Sequence, residues 1–224
     1  MKTTGPHRIS LTLLTFTLVS LVFLSACKKD DSMNDTSMKN NSTKTTATDT
    51  MKTNISNAGS MMDKSMKDMM KNMHEMKMSG NLDVDFVTMM IMHHQAAIDM
   101  AAAEISSGKQ ENVKSLASNI IKDQKLEIQT MQDWLEKNKD VKSTSGDNSM
   151  KLMQSMNSRM NPDMKMSGDT DKDFISMMIM HHQGAIDMAS VEIKNGTDPK
   201  IKKMAEEIIK KQKIEIEQMK QWQK

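Results

Sequence analysis

A single offset organises this chain. Met76-Lys77-Met78-Ser79-Gly80 returns as Met164-Lys165-Met166-Ser167-Gly168, and Asp85-Phe86 returns as Asp173-Phe174. Met89-Met90-Ile91-Met92-His93-His94-Gln95 returns as Met177-Met178-Ile179-Met180-His181-His182-Gln183. Gln124, Glu127, Ile128, Met131 and Trp134 return as Gln212, Glu215, Ile216, Met219 and Trp222. Every pair lies 88 positions apart without a gap, so the chain is a duplicated unit and any fold must accommodate two copies of it.

Each copy reads as two helices. In the first, Asp83 serves as N-cap, the helix runs to about Ser107, and Gly108 is its C′ stop. The second helix spans about Gln110 to Asn138. Its Val113, Leu116, Ile120, Gln124, Ile128, Met131 and Leu135 recur at three- and four-residue steps and make one apolar stripe. In the second copy Asn195-Gly196 ends one helix, and Asp198-Pro199 starts the next with Asp as N-cap and Pro at the first helical position. Ile201, Met204, Ile208, Gln212, Ile216 and Met219 form the matching stripe. A lone hairpin cannot hide such a stripe. Two hairpins can, as an all-α four-helix bundle, and pairing with a second chain as a homodimer is the alternative. No strand pattern competes.

The start of the chain sets the compartment. Lys2 and Arg8 precede an uncharged, mostly apolar run from Ile9 to Leu24, followed by Ser25-Ala26-Cys27. This is the pattern of a secretory signal, and the run is too short for a convincing membrane span. It resembles the bacterial lipobox, which implies cleavage after residue 26 and a lipid on Cys27, the chain's one cysteine. The expectation is a lipoprotein held to a membrane and facing the periplasm or the cell surface. Lys28-Lys29-Asp30-Asp31 is similar to the tag that sends some lipoproteins outward. The mature chain then balances 29 basic against 29 acidic side chains, which gives no electrostatic reason to expect nucleic acid as a partner. With Cys27 lipidated, no thiol remains for a disulfide or a thiolate zinc site. The resulting organisation is a signal peptide over 1–26, a disordered tether over 27–60, a Met-rich segment over 61–80, the first hairpin over 81–138, a Met-rich linker over 139–168 and the second hairpin over 169–224.

The paired histidines carry the chemistry. Residues three and four apart on a helix share a face, so Met89 and Met90 lie one turn before His93 and His94, and Met100 lies two turns beyond His93. Met177, Met178, His181, His182 and Met188 repeat the set. Thioether sulfur suits copper(I) and silver(I), and imidazole suits copper in either state as well as zinc. Asp99 and Asp187 are placed to orient a ring as outer-sphere partners, and Gln124 and Gln212 to hydrogen-bond across the bundle. The bland reading of a Met stripe is core filling. Yet there are 29 Met against four Phe and no Tyr. Met also recurs at helical spacing as Met62, Met66, Met69, Met73 and Met76, beside His74, and as Met150, Met153, Met156 and Met160. Those segments are otherwise polar, so no deep core would need them, and they read as outer metal-binding stretches.

At His93-His94-Gln95-Ala96-Ala97-Ile98-Asp99-Met100-Ala101 and its copy from His181 to Ala189, with the Gln124, Glu127, Ile128, Met131, Trp134 pattern behind it, the chain resembles the bacterial family called domain of unknown function 305. The resemblance covers about residues 81 to 138 and 169 to 224. It implies a ferritin-like helical bundle and, for exported members, an association with copper or silver binding and resistance. The leading expectation is thus a non-catalytic binding protein for copper(I) or silver(I), a buffer or carrier that serves a copper exporter or chaperone. Two rivals stand beside it. One is a ferritin-like di-iron or di-manganese oxidase, although such sites use Glu-x-x-His, which neither copy has. The other is a structural surface lipoprotein without metal.

Overall fold

The computed structural model describes residues 47–138, 146–158 and 164–223. The expected signal peptide, the lipidated Cys27 and the tether up to residue 46 lie outside the described residues. Within them there are six helices and no strand: α1 (Ala47–Glu75), α2 (Leu82–Ser107), α3 (Glu111–Lys137), α4 (Gly146–Asn157), α5 (Thr170–Asn195) and α6 (Pro199–Trp222). None is long and apolar enough to cross a membrane. α2 packs on α3 and α5 on α6, which are the two hairpins, and α2 packs on α5. The hairpins therefore pair within one chain. Phe86 and Phe174, at equivalent positions, are wholly buried, and the stripes of α3 and α6 close the core through Val113, Ile120, Met131, Ile201, Ile208 and Met219.

Two expectations are corrected. Helix α1 begins at Ala47, inside the stretch read as tether, and α4 forms inside the stretch read as linker. Neither Met-rich segment is peripheral. Met62, Met66, Met69 and Met73 of α1, with Leu152 and Met156 of α4, belong to the core. The reason is amphipathicity: the polar residues between the methionines occupy the other face, so a segment that is polar on average still presents one apolar stripe. α1 lays that stripe on α2 and α4 lays its own on α5. Each hairpin's first helix is thereby covered on one side by its partner hairpin and on another by a Met-rich helix.

The helix starts also differ from expectation. Asn81, not Asp83, caps α2, its side chain accepting from the Val84 N–H, and Asp169 caps α5 by accepting from Lys172 N–H. Before each cap stands a left-handed glycine, Gly80 at φ 80° and Gly168 at φ 82°. A side chain there would be strained. The turn it makes aims two N–H groups at one carboxylate: Ser79 and Gly80 donate to Asp85 at 2.7 and 3.3 Å, and Ser167 and Gly168 donate to Asp173 at 2.7 and 3.2 Å. The repeated Met-Lys-Met-Ser-Gly motif is thus the turn that delivers the chain into α2 and α5. Asp198 caps α6 with Pro199 behind it, as expected.

Gly108 and Gly196 end α2 and α5, but not as left-handed stops: their φ values are −66° and −65°. Glycine is required there by a close approach. A Cβ on Gly108 would lie 2.8 Å from the Glu104 carbonyl oxygen and 2.0 Å from its Oε1, and one on Gly196 would lie 2.7 Å from the Glu192 carbonyl oxygen and 1.9 Å from its Oε1.

Candidate metal centre

His93 and His181 sit mid-helix on α2 and α5, where the two helices meet. Their rings face each other with centroids 3.5 Å apart at an interplanar angle of 38°. Gly184, where the first copy has Ala96, turns its bare Cα toward the His93 ring, and a Cβ there would stand 3.5 Å from Nε2. His94 and His182 flank the pair at centroid separations of 6.5 and 6.2 Å. All four imidazoles are completely buried, so the two His-His motifs become one row of four rings across the crossing point.

The outer rings are held by carboxylates. His94 Nε2 lies 2.7 Å from Glu127 Oε2 on α3, and His182 Nε2 lies 2.7 Å from Glu215 Oε2 on α6. Burial pushes the Glu127 carboxyl up, but the bonds from His94 and from Lys211 overcome this and hold it below the usual range, so it is a carboxylate. A carboxylate accepts, so His94 donates to it from Nε2. The matching distance gives His182 the same donor atom toward Glu215. Neither Nδ1 makes a hydrogen bond. For the inner rings burial, reinforced by repulsion from the neighbouring histidines, drives the pKa of His93 and of His181 well below the ordinary value, which leaves both neutral. Both nitrogens of each inner ring also lack a hydrogen bond. Six buried ring nitrogens therefore converge on one part of the core with no hydrogen bond to satisfy them. Buried polar groups are seldom left this way, and each omission costs about 1–3 kcal/mol.

The thioethers expected beside them are in the core: Met89, Met90, Met100, Met178 and Met188 are wholly buried and Met177 nearly so. Among the described residues no three His, Cys, Asp or Glu side chains gather to hold a metal ion. Gln124 and Gln212 are buried, and Gln124 Oε1 and both polar atoms of Gln212 make no hydrogen bond. Asp99 is exposed and accepts from Gln95 Nε2, and Asp187 accepts from Gln183 Nε2, one turn earlier on the same helix. The carboxylates on the outer rings are those of Glu127 and Glu215. Sequence reasoning placed both in the repeat and gave them no role. The available signal was an acid one turn beyond a glutamine that interrupts an apolar stripe, in both copies. His74 is exposed, its Nδ1 2.8 Å from the Met70 carbonyl, and takes no part in this centre.

The chain is thus an all-α protein of two duplicated helical hairpins whose first helices meet at buried imidazoles, the outer ring of each pair held by a glutamate of the second helix. The chain belongs to the family described as domain of unknown function (DUF305), whose model matches residues 24–135 and again 83–223. No curated protein matches the chain. Among solved structures it is similar to CopM in the Cu(II)-bound form, at 36% identity, covering 62% of this chain and 95% of that one with a TM-score of 0.50. CopM in the apo form matches equally, at 36% identity, 62% and 94% coverage and a TM-score of 0.50. A putative secreted DUF305 protein from Streptomyces coelicolor shares the fold at 22% identity, 63% and 91% coverage and a TM-score of 0.50.

Proposed function

We propose that this protein binds soft metal ions, copper(I) first and silver(I) second, outside the cytoplasm, as a buffer or carrier without turnover. The observation that carries the reading is the set of six buried ring nitrogens without hydrogen bonds amid buried thioethers. The neutral inner imidazoles and the uncharged sulfur need no deprotonation to ligate, and their softness matches copper(I) better than a hard cation. The Cu(II)-bound form of a relative at 36% identity supports copper as the metal. His93, His94, His181 and His182 are the nitrogen donors; Met89, Met90, Met100, Met177, Met178 and Met188 supply the sulfur. The lipobox at Cys27 motivates an anchored protein that faces the periplasm or the cell surface, with a copper exporter or chaperone as the recipient of its cargo.

The test is a copper(I) titration against a chromophoric competitor, with the four histidines replaced by Ala in a second protein. Tight binding that collapses in the variant is the expected result. Equal binding by both would move the site to other methionines, and no binding by either would remove copper from the proposal.

A further inference from the structure

Glu104 and Glu192 occupy the last turns of α2 and α5, where the helix dipole favours cations, yet both are completely buried. Each carboxyl is folded under its terminal glycine, in space that the missing Cβ of Gly108 and Gly196 leaves open. None of the four oxygens receives a hydrogen bond from an N–H or a hydroxyl. What each faces is a carboxyl of the other copy: Asp171 for Glu104 and Asp83 for Glu192. Those aspartates are committed acceptors. Asp171 Oδ1 takes the N–H of Gln110 at 2.9 Å and of Lys109 at 3.1 Å, at the start of α3. Asp83 takes the N–H groups of Thr197 and Asp198 at 2.9 Å and the Thr197 hydroxyl at 2.6 Å, at the start of α6.

Two carboxyls in contact cannot both be ionised, and the one without donors takes the proton. We propose that the hairpins are joined by two shared-proton carboxyl pairs, Glu104 donating to Asp171 and Glu192 donating to Asp83. Each pair ties the end of one copy's first helix to the other copy, whose aspartate already holds the loop that follows that helix. No third His, Cys, Asp or Glu joins either pair among the described residues to hold a metal ion. The charges facing Glu104 are Asp171 and Asp169 on the α5 side and Lys114 on α3; those facing Glu192 are Asp83 on α2 with Asp198 and Lys202 on the α6 side. Burial, then the adjacent aspartate, pushes Glu104 up to about 8 and Glu192 up to about 9 from an ordinary 4.5.

The linkage has a definite sign. A carboxyl raised in the folded state contributes stability that is complete below 4.5 and is lost as pH rises through 8 to 9. Over that window the folding constant falls by up to tenfold per pH unit for each pair. The experiment is thermal or urea unfolding of the full chain from pH 6.5 to 9.5, beside Glu104→Gln/Glu192→Gln, whose amides donate without titrating. The expected result is a wild-type stability that declines with pH and a variant that declines less and is the more stable at pH 9. The exposed control Glu111→Gln keeps the wild-type slope. Parallel slopes for wild type and double variant would overturn the proposal. If the variant fails to fold, carboxyl carbon NMR of the glutamate-labelled wild type decides: two resonances titrating above pH 7 support the pairs, and none doing so refutes them.

Discussion

At the scale of the residue, the carboxylate behind His94 and behind His182 is the decisive detail. An imidazole whose Nε2–H is held by a glutamate has its ring orientation fixed, and partners of this kind are worth about 10–100-fold in metal affinity. Glu127→Gln or Glu215→Gln is therefore expected to weaken copper(I) binding by about that factor, in a competitor titration, while the fold persists. The inner rings add a pH signature. His93 and His181 are held well below 6.5 by burial, so protons displace metal from them only well into the acid range. Copper(I) affinity measured at pH 7.5 and 6.5 should change little, whereas a site of exposed histidines would lose affinity over the same step. A steep loss between those two values would contradict the buried, neutral inner pair.

At the scale of the element, the methionines of α1 divide into a prediction about packing. Met62 and Met73 are wholly buried against the bundle, so truncation of either to Ala should cost about 2–5 kcal/mol. Replacing Met62, Met66, Met69 and Met73 by Leu conserves volume and removes sulfur. Stability read by urea unfolding should fall by less than about 1.5 kcal/mol per site, and copper stoichiometry should hold if the stripe serves as core. A lost equivalent of copper would return these residues to metal binding. Much of this architecture was legible in the sequence. The constant offset of 88 exposed two hairpins, and Asp198-Pro199 marked a helix start that the structure reproduces. The Met-rich helices were misjudged because their mean polarity is high, although their spacing of three and four already carried the stripe. The cap at Asn81 was missed for a related reason: Asp83 is an equally good capping type by composition, and only the tertiary contact with Thr197 and Asp198 shows that it caps the other copy's hairpin. The glutamates that hold the rings lie 33 residues from them in sequence, a pairing that no local period encodes.

At the scale of the whole molecule, duplication has been followed by differentiation at the axis that relates the copies. Asp123 and Lys211 are equivalent positions, 88 apart, and they meet: Lys211 Nζ lies 2.9 Å from Asp123 Oδ2 and 3.0 Å from Glu127 Oε1. In a symmetric dimer of one hairpin this position would face itself, charge against like charge. Here the two copies place opposite signs, which favours pairing of the first hairpin with the second within one chain over pairing of like with like. Lys211→Asp would set three acids together at this point, with Asp123 and Glu127 facing the new carboxylate. Both Asp123 and Lys211 are about a third exposed, so solvent screens the loss to roughly 1 kcal/mol or less. Asp123→Lys alone makes the opposite clash and should cost a similar amount. The double exchange Asp123→Lys/Lys211→Asp restores the pair with its polarity reversed and brings the cation beside Glu215 instead of Glu127. A double-mutant cycle in thermal unfolding should therefore show the exchanged protein close to the parent and well above the additive expectation. Strict additivity would mean that the two charges do not meet across the axis in solution.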